Sequence, residues 1–468
     1  MDKKLDRILS GFSKQLIESV CESIRIPSLN APPLGGAPYG REIARAAEHA
    51  LSKAAGLGLR TVDLDGLVAW AEYGNGDETV LAMGHLDIVP PGDGWDWDPY
   101  AGRIEDGYIL GRGAQDDKGP LFGTLYAMKA VAELGVPLRR KIRVVFGMDE
   151  ETSKMRDVDA YLRHEGPPLM GFTPDGEFPV VNAEKGTIKF RARRVFDAFA
   201  IAGPRLLKIE GGEGLGSVPA KAAATLCCDQ RGVANLRERL ERFSAAHEWD
   251  VLFKADGDML KIETTGKAAH ATLPELGTNA VGRLLLLLAQ ACIEGEPGSY
   301  IDFLANILGI ESDGNKLGIA AFDSHCGKLT LNLGKIEGDG AGVAVDVGIY
   351  IPANTMSFET VCEKVESAFG DQGATIEMLA RVAPIYYSAE SELVRTLQRA
   401  YRAATGEEPQ LISMCGGTYS KRMPNMLPFG ATFTGEDDRA HAANERVLVS
   451  NLLESTRIMA YAILEMAK

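Results

Sequence analysis

From Thr79 onward the sequence alternates short apolar runs with longer amphipathic stretches: TVLAMGHLDIV, then LFGTLYAMKAVAELG, KIRVVFGM and VDAYLRHE. Short apolar runs suit buried strands, and the stretches between them suit helices. Strand–helix–strand order of this kind favours an α/β layer whose strands run largely parallel. In such sheets ligands collect beyond the carboxyl ends of the strands, and that is where the polar residues crowd. His85 and Asp87 end the first run, and Asp116 and Asp117 lie in a glycine-rich loop ahead of a helix near Pro120. Asp149, Glu150 and Glu151 directly follow KIRVVFGM, and Asp175 sits in the turn FTPDGEFP.

After about Lys185 the texture changes. GTIKFRARRVFDAF, AKAAATLCCD, MLKIETTG and KLTLNLGKIEG read as strands, separated by polar loops and by helices at Gly232–His247 and Asn279–Glu294. This is an α+β insertion whose two strand–helix passages leave room for two subdomains. From about Pro384 the chain returns to helix (SELVRTLQRAYRAATG), strand-like segments and a final helix, NERVLVSNLLESTRIMAYAILEMA. At roughly 100–200 residues per domain, 468 residues make two or three. The expected organisation is a catalytic domain in two parts, 1–185 and 384–468, interrupted by a lid domain over 186–383. Charges interrupt the apolar positions of the first twenty residues, which suits an amphipathic helix and not a signal peptide.

With 65 acidic residues against 50 basic ones the formal charge is −15, which repels a phosphate backbone, so no nucleic-acid partner is expected. Excess carboxylate is compatible with cation binding and equally with a solvated acidic surface. Seven cysteines, including the adjacent Cys227 and Cys228 but no C-x-x-C, form neither a disulfide framework nor a thiolate zinc site. They read as small buried hydrophobes in a reducing compartment. The most apolar window, Ala280 to Ile293, falls short of the ~18–20 residues that cross a bilayer. A cytoplasmic protein with no membrane partner is expected.

A hydrolytic site built on two divalent cations needs imidazole nitrogen and carboxylate oxygen, with one carboxylate bridging the ions. Positions 85 and 87 project to one face of an extended segment, so His85 can ligate while Asp87 accepts its other ring N–H. Asp116 sits on a glycine-loosened loop where backbone can approach an ion closely, and Asp117 reads equally as a helix N-cap. Glu150 and Glu151 follow a strand, where neighbouring side chains diverge, so one can ligate while the other faces an attacking water. Each pattern alone has an ordinary structural explanation, and His49, His164, His247 and His325 have no motif around them.

Six ordered segments together carry more. They are GHLDIVPPGDGWDWDPYAGRIEDGYILGRGAQDDKGP, DEET, FTPDGEFPVVNAEKG, GKAAHATLPELGTNA, GGTYSKRMPN and FTGEDDRAHAANE. In this order they resemble the two-metal exopeptidase superfamily of aminoacylase, carboxypeptidase and dipeptidase enzymes, and most of all its dipeptidase V-like subgroup. The resemblance spans nearly the whole chain. It implies a mixed, largely parallel sheet flanked by helices, with an inserted α+β lid. It also implies two divalent metal ions, Zn²⁺ ahead of Mn²⁺ or Co²⁺. One would be held by His85 and Asp175, the other by Glu151 and His441, with Asp116 bridging and followed by a cis peptide. Glu150 would be the general base, Asp87 would orient His85, and His270 in the lid would stabilise the oxyanion. The loop with Gly417, Thr418 and Tyr419 would hold the substrate. The longer subgroup favours a monomer.

The sequence departs from this pattern twice. GGEGLGSVP places Gly216 where the subgroup carries asparagine, and DVGIYIP places Tyr350 where it carries an arginine associated with the substrate's terminal carboxylate. A phenol lacks the charged fork of guanidinium, although Lys421 or Arg422 could supply positive charge. The expected activity is therefore hydrolysis of small dipeptides. The alternative is an N-acyl amino acid amidohydrolase, and a catalytically silent metal-binding homologue is the third. Asn444 also reads as the N-cap of the final helix.

Overall fold

The computed structural model describes residues 2–197 and 203–468. The chain divides into two compact units, Met1–Ala183 with Ile385–Lys468 and Glu184–Pro384.

The first unit is built on a six-stranded sheet in the order Arg60–Leu64, Val68–Tyr73, Lys141–Gly147, Thr79–His85, Met170–Thr173, Met426–Pro428. The first two pairings are antiparallel and the last three parallel, so the sheet is mixed and largely parallel, as expected. Side chains alternate across it with period two. Ala69, Ala71, Val80, Ala82, Ile142, Val144 and Phe146 face one core, while Val68, Trp70, Leu81, Met83 and Val145 face another. Helices cover both faces. Asp2–Ile24, Arg41–Gly56, Lys118–Leu134, Glu392–Thr405 and Val449–Ala467 contribute to the first core, and Arg156–Glu165 to the second. Burial on both faces explains why the central strands read as near-continuous apolar runs. Of the two charges in KIRVVFG, Lys141 opens the strand and Arg143 is buried against Glu72 at 3.0 Å and Glu165 at 2.6 Å, with its guanidinium over the Trp70 ring.

The second unit is an eight-stranded antiparallel sheet in the order Val251–Asp256, Met259–Thr265, Lys221–Cys227, Arg205–Gly211, Thr330–Asp339, Gly342–Ile351, Gly186–Val195, Thr375–Val382. Both strand–helix passages share this sheet and one core, to which Gln230–Ala246, Ala280–Ala289, Gly295–Ile307 and Phe358–Gly370 contribute. Its first and last strands in the chain are neighbours, with Thr187 opposite Val382.

Two helix boundaries differ from expectation. The helix expected over Asn279–Glu294 ends at Ala289, with Asn279 capping it through Gly282 N–H, and Gly295 opens a separate helix. The final helix begins at Val449 and not at Asn444. Arg446–Leu448 is drawn into a ladder with Tyr108–Leu110, and Asn444 takes φ 64° and binds Asp96 through both ends of its amide. Among the described residues no helix is long and apolar enough to cross a membrane.

Candidate metal centre

Three adjacent parallel strands deliver the first polar groups. His85 is the last residue of Thr79–His85, Glu150 and Glu151 follow Lys141–Gly147, and Asp175 lies two residues beyond Met170–Thr173. Loops supply two more: Asp116 ahead of the helix Lys118–Leu134, and His441 ahead of the strand Arg446–Leu448. The Asp116–Asp117 peptide is cis.

These side chains converge in two groups that share Asp116: His85, Asp116 and Asp175, and Asp116, Glu151 and His441. His85 Nε2 lies 2.9 Å from Asp116 Oδ1 and 3.8 Å from Asp175 Oδ2. His441 Nε2 lies 3.0 Å from Asp116 Oδ2 and 3.1 Å from Glu151 Oε2. The two oxygens of one carboxylate thus serve different groups.

Charge crowding dominates this cluster. Burial, and then the neighbouring Asp116, push the Asp175 carboxyl up to about 8. Burial likewise pushes Glu150 well above the usual carboxylate range, with Asp175, Glu151 and Asp116 adding to it. Hydrogen bonds to Asp116 and Glu151 raise His441 to about 11. Burial opposes charge on His85, yet the hydrogen bond to Asp116 and nearby carboxylates hold it well above its ordinary value. The cluster thus favours added positive charge, on its two imidazoles or as protons on its own carboxyls. A cation satisfies the same demand, and the donors fit one: imidazole nitrogens and carboxylate oxygens with no thiolate. Glu151 Oε1 is buried without a hydrogen-bond partner, which adds to that fit.

Around the cluster stand four more buried carboxylates that accept backbone N–H groups. Asp117 Oδ2 accepts from His85 N at 3.0 Å. Asp87 accepts from Glu150 N at 3.4 Å and Glu151 N at 3.0 Å. Asp157 accepts from Met148 N at 2.6 Å and Asp149 N at 3.1 Å. Glu445 Oε1 accepts from Gly113, Gln115 and Asp116 at 2.9–3.1 Å. The stretches carrying His85, Asp116 and the Glu150–Glu151 pair are thereby each held by a carboxylate from another stretch of chain.

The sequence profile of Peptidase family M20/M25/M40 matches residues 81–465. The chain belongs to that family. A Bacillus subtilis (strain 168) relative named "Putative dipeptidase YtjP" is 32% identical over 477 residues, spanning 97% of this chain and 98% of the relative. A "Putative dipeptidase" of Staphylococcus epidermidis (strain ATCC 12228 / FDA PCI 1200) is 29% identical over 457 residues, 97% of each. Human carnosine dipeptidase 1 superposes with a TM-score of 0.60 at 17% identity, covering 100% of both chains. The yeast di-peptidase Dug1p from Saccharomyces cerevisiae also gives 0.60, at 14% identity over 100% of this chain and 98% of its own. The structural matches establish the shared fold. Family membership makes this M20 chain a metallopeptidase, and the cluster is its candidate metal-binding site.

Not every expected side chain of the M20 chain meets its expected partner. The carboxylate of Asp87 stands 3.6 Å from His85 Nδ1, and the ring bonds instead to the Asp87 backbone carbonyl at 2.9 Å. The carboxylate also accepts the two glutamate amides, so it faces the Glu150–Glu151 turn as well as the imidazole. Tyr419 of the expected substrate loop lies inside the fold. It is fully buried, donates its hydroxyl to Asp157 and lies edge-on to the His85 ring, so its phenol is packed beneath the cluster. Thr418 is buried and caps the short turn after it by accepting from Ser420 N, while Gly417 precedes it with Lys421 Cγ 3.4 Å from where a Cβ would stand. Arg422 is committed to Asp159 at 2.8 Å. Asp117 occupies the N-cap position of its helix but spends its carboxylate on His85.

Three of the expected residues belong to the second unit. His270 Nδ1 lies 2.6 Å from Thr272 Oγ1, and its segment bridges to Ser217 beside Gly216, whose carbonyl accepts from Ala271 N. A Cβ at Gly216 would meet nothing within 4 Å, so the missing side chain is not excluded by packing. Tyr350 is buried on Gly342–Ile351, between Thr187 and Thr330. Asp157 and Glu445 escaped sequence reasoning altogether. Glu445 lies inside the quoted segment FTGEDDRAHAANE, but nothing local marks it as the acceptor for a loop more than 300 residues earlier.

Proposed function

We propose that this M20 chain is a dipeptidase that hydrolyses the amide bond of small dipeptides at a dinuclear metal site. The observation that carries the proposal is the division of Asp116 between two ligand groups, each completed by one histidine and one further carboxylate. His85 and Asp175 would hold one cation, Glu151 and His441 the other, with Asp116 between them. Zn²⁺ is the first choice, ahead of Mn²⁺ and Co²⁺, for a nitrogen and oxygen donor set. Divalent cations there would acidify a water molecule and polarise the scissile carbonyl. Glu150, its amide pinned on Asp87, takes the proton from the attacking water and returns it to the leaving amine. Asp87 would orient His85, as the resemblance implies, while its carboxylate also accepts the Glu150 and Glu151 amides. The roles of residues 1–185 and 384–468 as catalytic domain and 186–383 as lid, and of His270 as oxyanion donor, belong to the same proposal and rest on the resemblance.

Gly216 and Tyr350 favour a second reading, an N-acyl amino acid amidohydrolase that reads its substrate's carboxylate differently. A panel of dipeptides and N-acyl amino acids, assayed with added Zn²⁺ or Mn²⁺, separates the two. Turnover confined to dipeptides supports the first, turnover confined to acyl amino acids the second, and no turnover with bound metal revives the silent homologue. The buried thiols of Cys21, Cys227, Cys326 and Cys362 support a reducing, cytoplasmic setting. The monomer expectation is checked by light scattering.

A further inference from the structure

The loop carrying Asp116 and the loop carrying His441 come from opposite ends of the chain, and one carboxylate clasps both. Glu445 is fully buried. Its Oε1 gathers the amides of Gly113, Gln115 and Asp116 at 3.0, 2.9 and 3.1 Å, and its Oε2 takes Arg112 Nη1 at 2.6 Å. Its backbone carbonyl accepts from Gly111 N at 3.0 Å. Four residues earlier stands His441, and a second tie runs from Arg439 N to Gln115 Oε1 at 2.9 Å. Arg112 is itself fixed, with its guanidinium 5.3 Å over the Trp95 ring. Three amides on one oxygen form a backbone concavity closed around an anion, here an anion of the protein itself.

We propose that Glu445 is a positioning residue of the metal centre, which sets Asp116 against His441 and thereby decides whether the second cation is held. The proposal rests on the metal-site assignment above. His85 and Asp175 sit at strand ends whose places the sheet fixes, whereas His441 is on a half-exposed loop with φ 61°, held beside Asp116 by the ties just described. A metal site tolerates displacements of only about 0.2 Å, so loosening Glu445 affects the Asp116, Glu151 and His441 group first.

The test is calorimetric titration of metal-free, full-length protein with Zn²⁺ alone. Wild type takes up two ions. Glu445→Gln presents an amide where a charged oxygen met either three N–H groups or a guanidinium, so one face is mismatched in either orientation. The expected result is a circular dichroism spectrum like wild type, at least tenfold weaker binding of one Zn²⁺, and less than threefold change for the other. Glu445→Asp keeps the charge and withdraws it by one methylene. Its expected loss is smaller, and it carries the test should the glutamine variant not fold. Glu72→Gln breaks the buried pair with Arg143, four residues before Gly147 on the neighbouring strand, and serves as the control that lowers stability without touching these loops. Wild-type zinc affinities in the folded Glu445 variants overturn the proposal. So does an equal loss of zinc affinity in Glu72→Gln, because general loosening would then explain it. A wild-type protein that binds no Zn²⁺ removes the metal-site assignment and this proposal together, whereas two-site wild type with unchanged variants removes this proposal alone.

Discussion

Glu150 and Glu151 are neighbours in sequence that separate in space because both amides are drawn to Asp87 while only Glu151 reaches His441. Removing the carboxylate of Glu150 without changing its shape is therefore expected to stop proton transfer and spare the ligands. Glu150→Gln should lower kcat by about 10²–10⁴-fold with unchanged metal content by mass spectrometry, and near-wild-type turnover would falsify its role as base. Tyr419 gives the opposite kind of expectation. Tyr419→Phe removes one of three donors to Asp157 Oδ2, which keeps the Met148 and Asp149 amides, at a cost of about 0.5–1.5 kcal/mol for one lost hydrogen bond. Urea denaturation should show that loss, while KM changes little because the phenol is packed away from solvent. At this scale residue type and strand-end position were enough to mark His85, Glu151 and Asp175, whereas Asp116 and His441 stand on loops and were grouped with them by the resemblance. The sequence was mute where a role depends on a distant partner, as for Asp157 and Glu445, since a buried acceptor and a solvated acid are spelled alike.

Between the strand Lys141–Gly147 and the glutamates that follow it, the junction depends on the absence of a side chain. A Cβ on Gly147 would overlap the Tyr419 ring and hydroxyl, and one on Gly84, at the end of the neighbouring strand, would overlap Asp117 Oδ2. Backbone has to pass closely here so that buried acids and the phenol can support the loops from beneath. Gly147→Ala is expected to destabilise the protein by about 1–3 kcal/mol, the usual range for overpacking, measured as a lower denaturation midpoint at unchanged slope. The strand–helix alternation after Thr79 was legible because both faces of that sheet are covered, which leaves unbroken apolar runs. Helix ends were less so. Val449 begins the last helix because pairing with Tyr108–Leu110 captures Arg446–Leu448 first, and that competition is settled by tertiary contacts, not local propensity.

For the whole molecule, four crowded carboxylates and two imidazoles make the folded state depend on what neutralises them. Resident cations at about 100 times their dissociation constant add about 2.7 kcal/mol. Chelation with EDTA is therefore expected to lower Tm by roughly 5–10 °C, restored by Zn²⁺; an unchanged melting curve would mean that no cation is bound. The insertion offers a second expectation. Thr187 and Val382 are opposite one another on adjacent strands, so the second unit begins and ends at nearly one place. Replacing residues 186–383 with a short glycine-serine linker should leave a remainder that folds cooperatively and still takes up Zn²⁺, since loop closure costs little over such a gap.

Glu445 lies 329 residues beyond Asp116, and His441 only four residues before it. On a ribosome adding about 5–20 residues per second, roughly 15–65 s separate the appearance of the first of these partners from the last. Once Asp175 has been added, His85, Asp116, Glu151 and Asp175 are all made, and for most of that interval the histidine and the clasp that complete their cluster do not yet exist. Any ion captured early sits in half a site, and a truncated translation product lacking its last 30 or so residues keeps most of the ligands without the group that closes around them. Closure of the proposed metal centre thus waits on the stretch from His441 to Glu445.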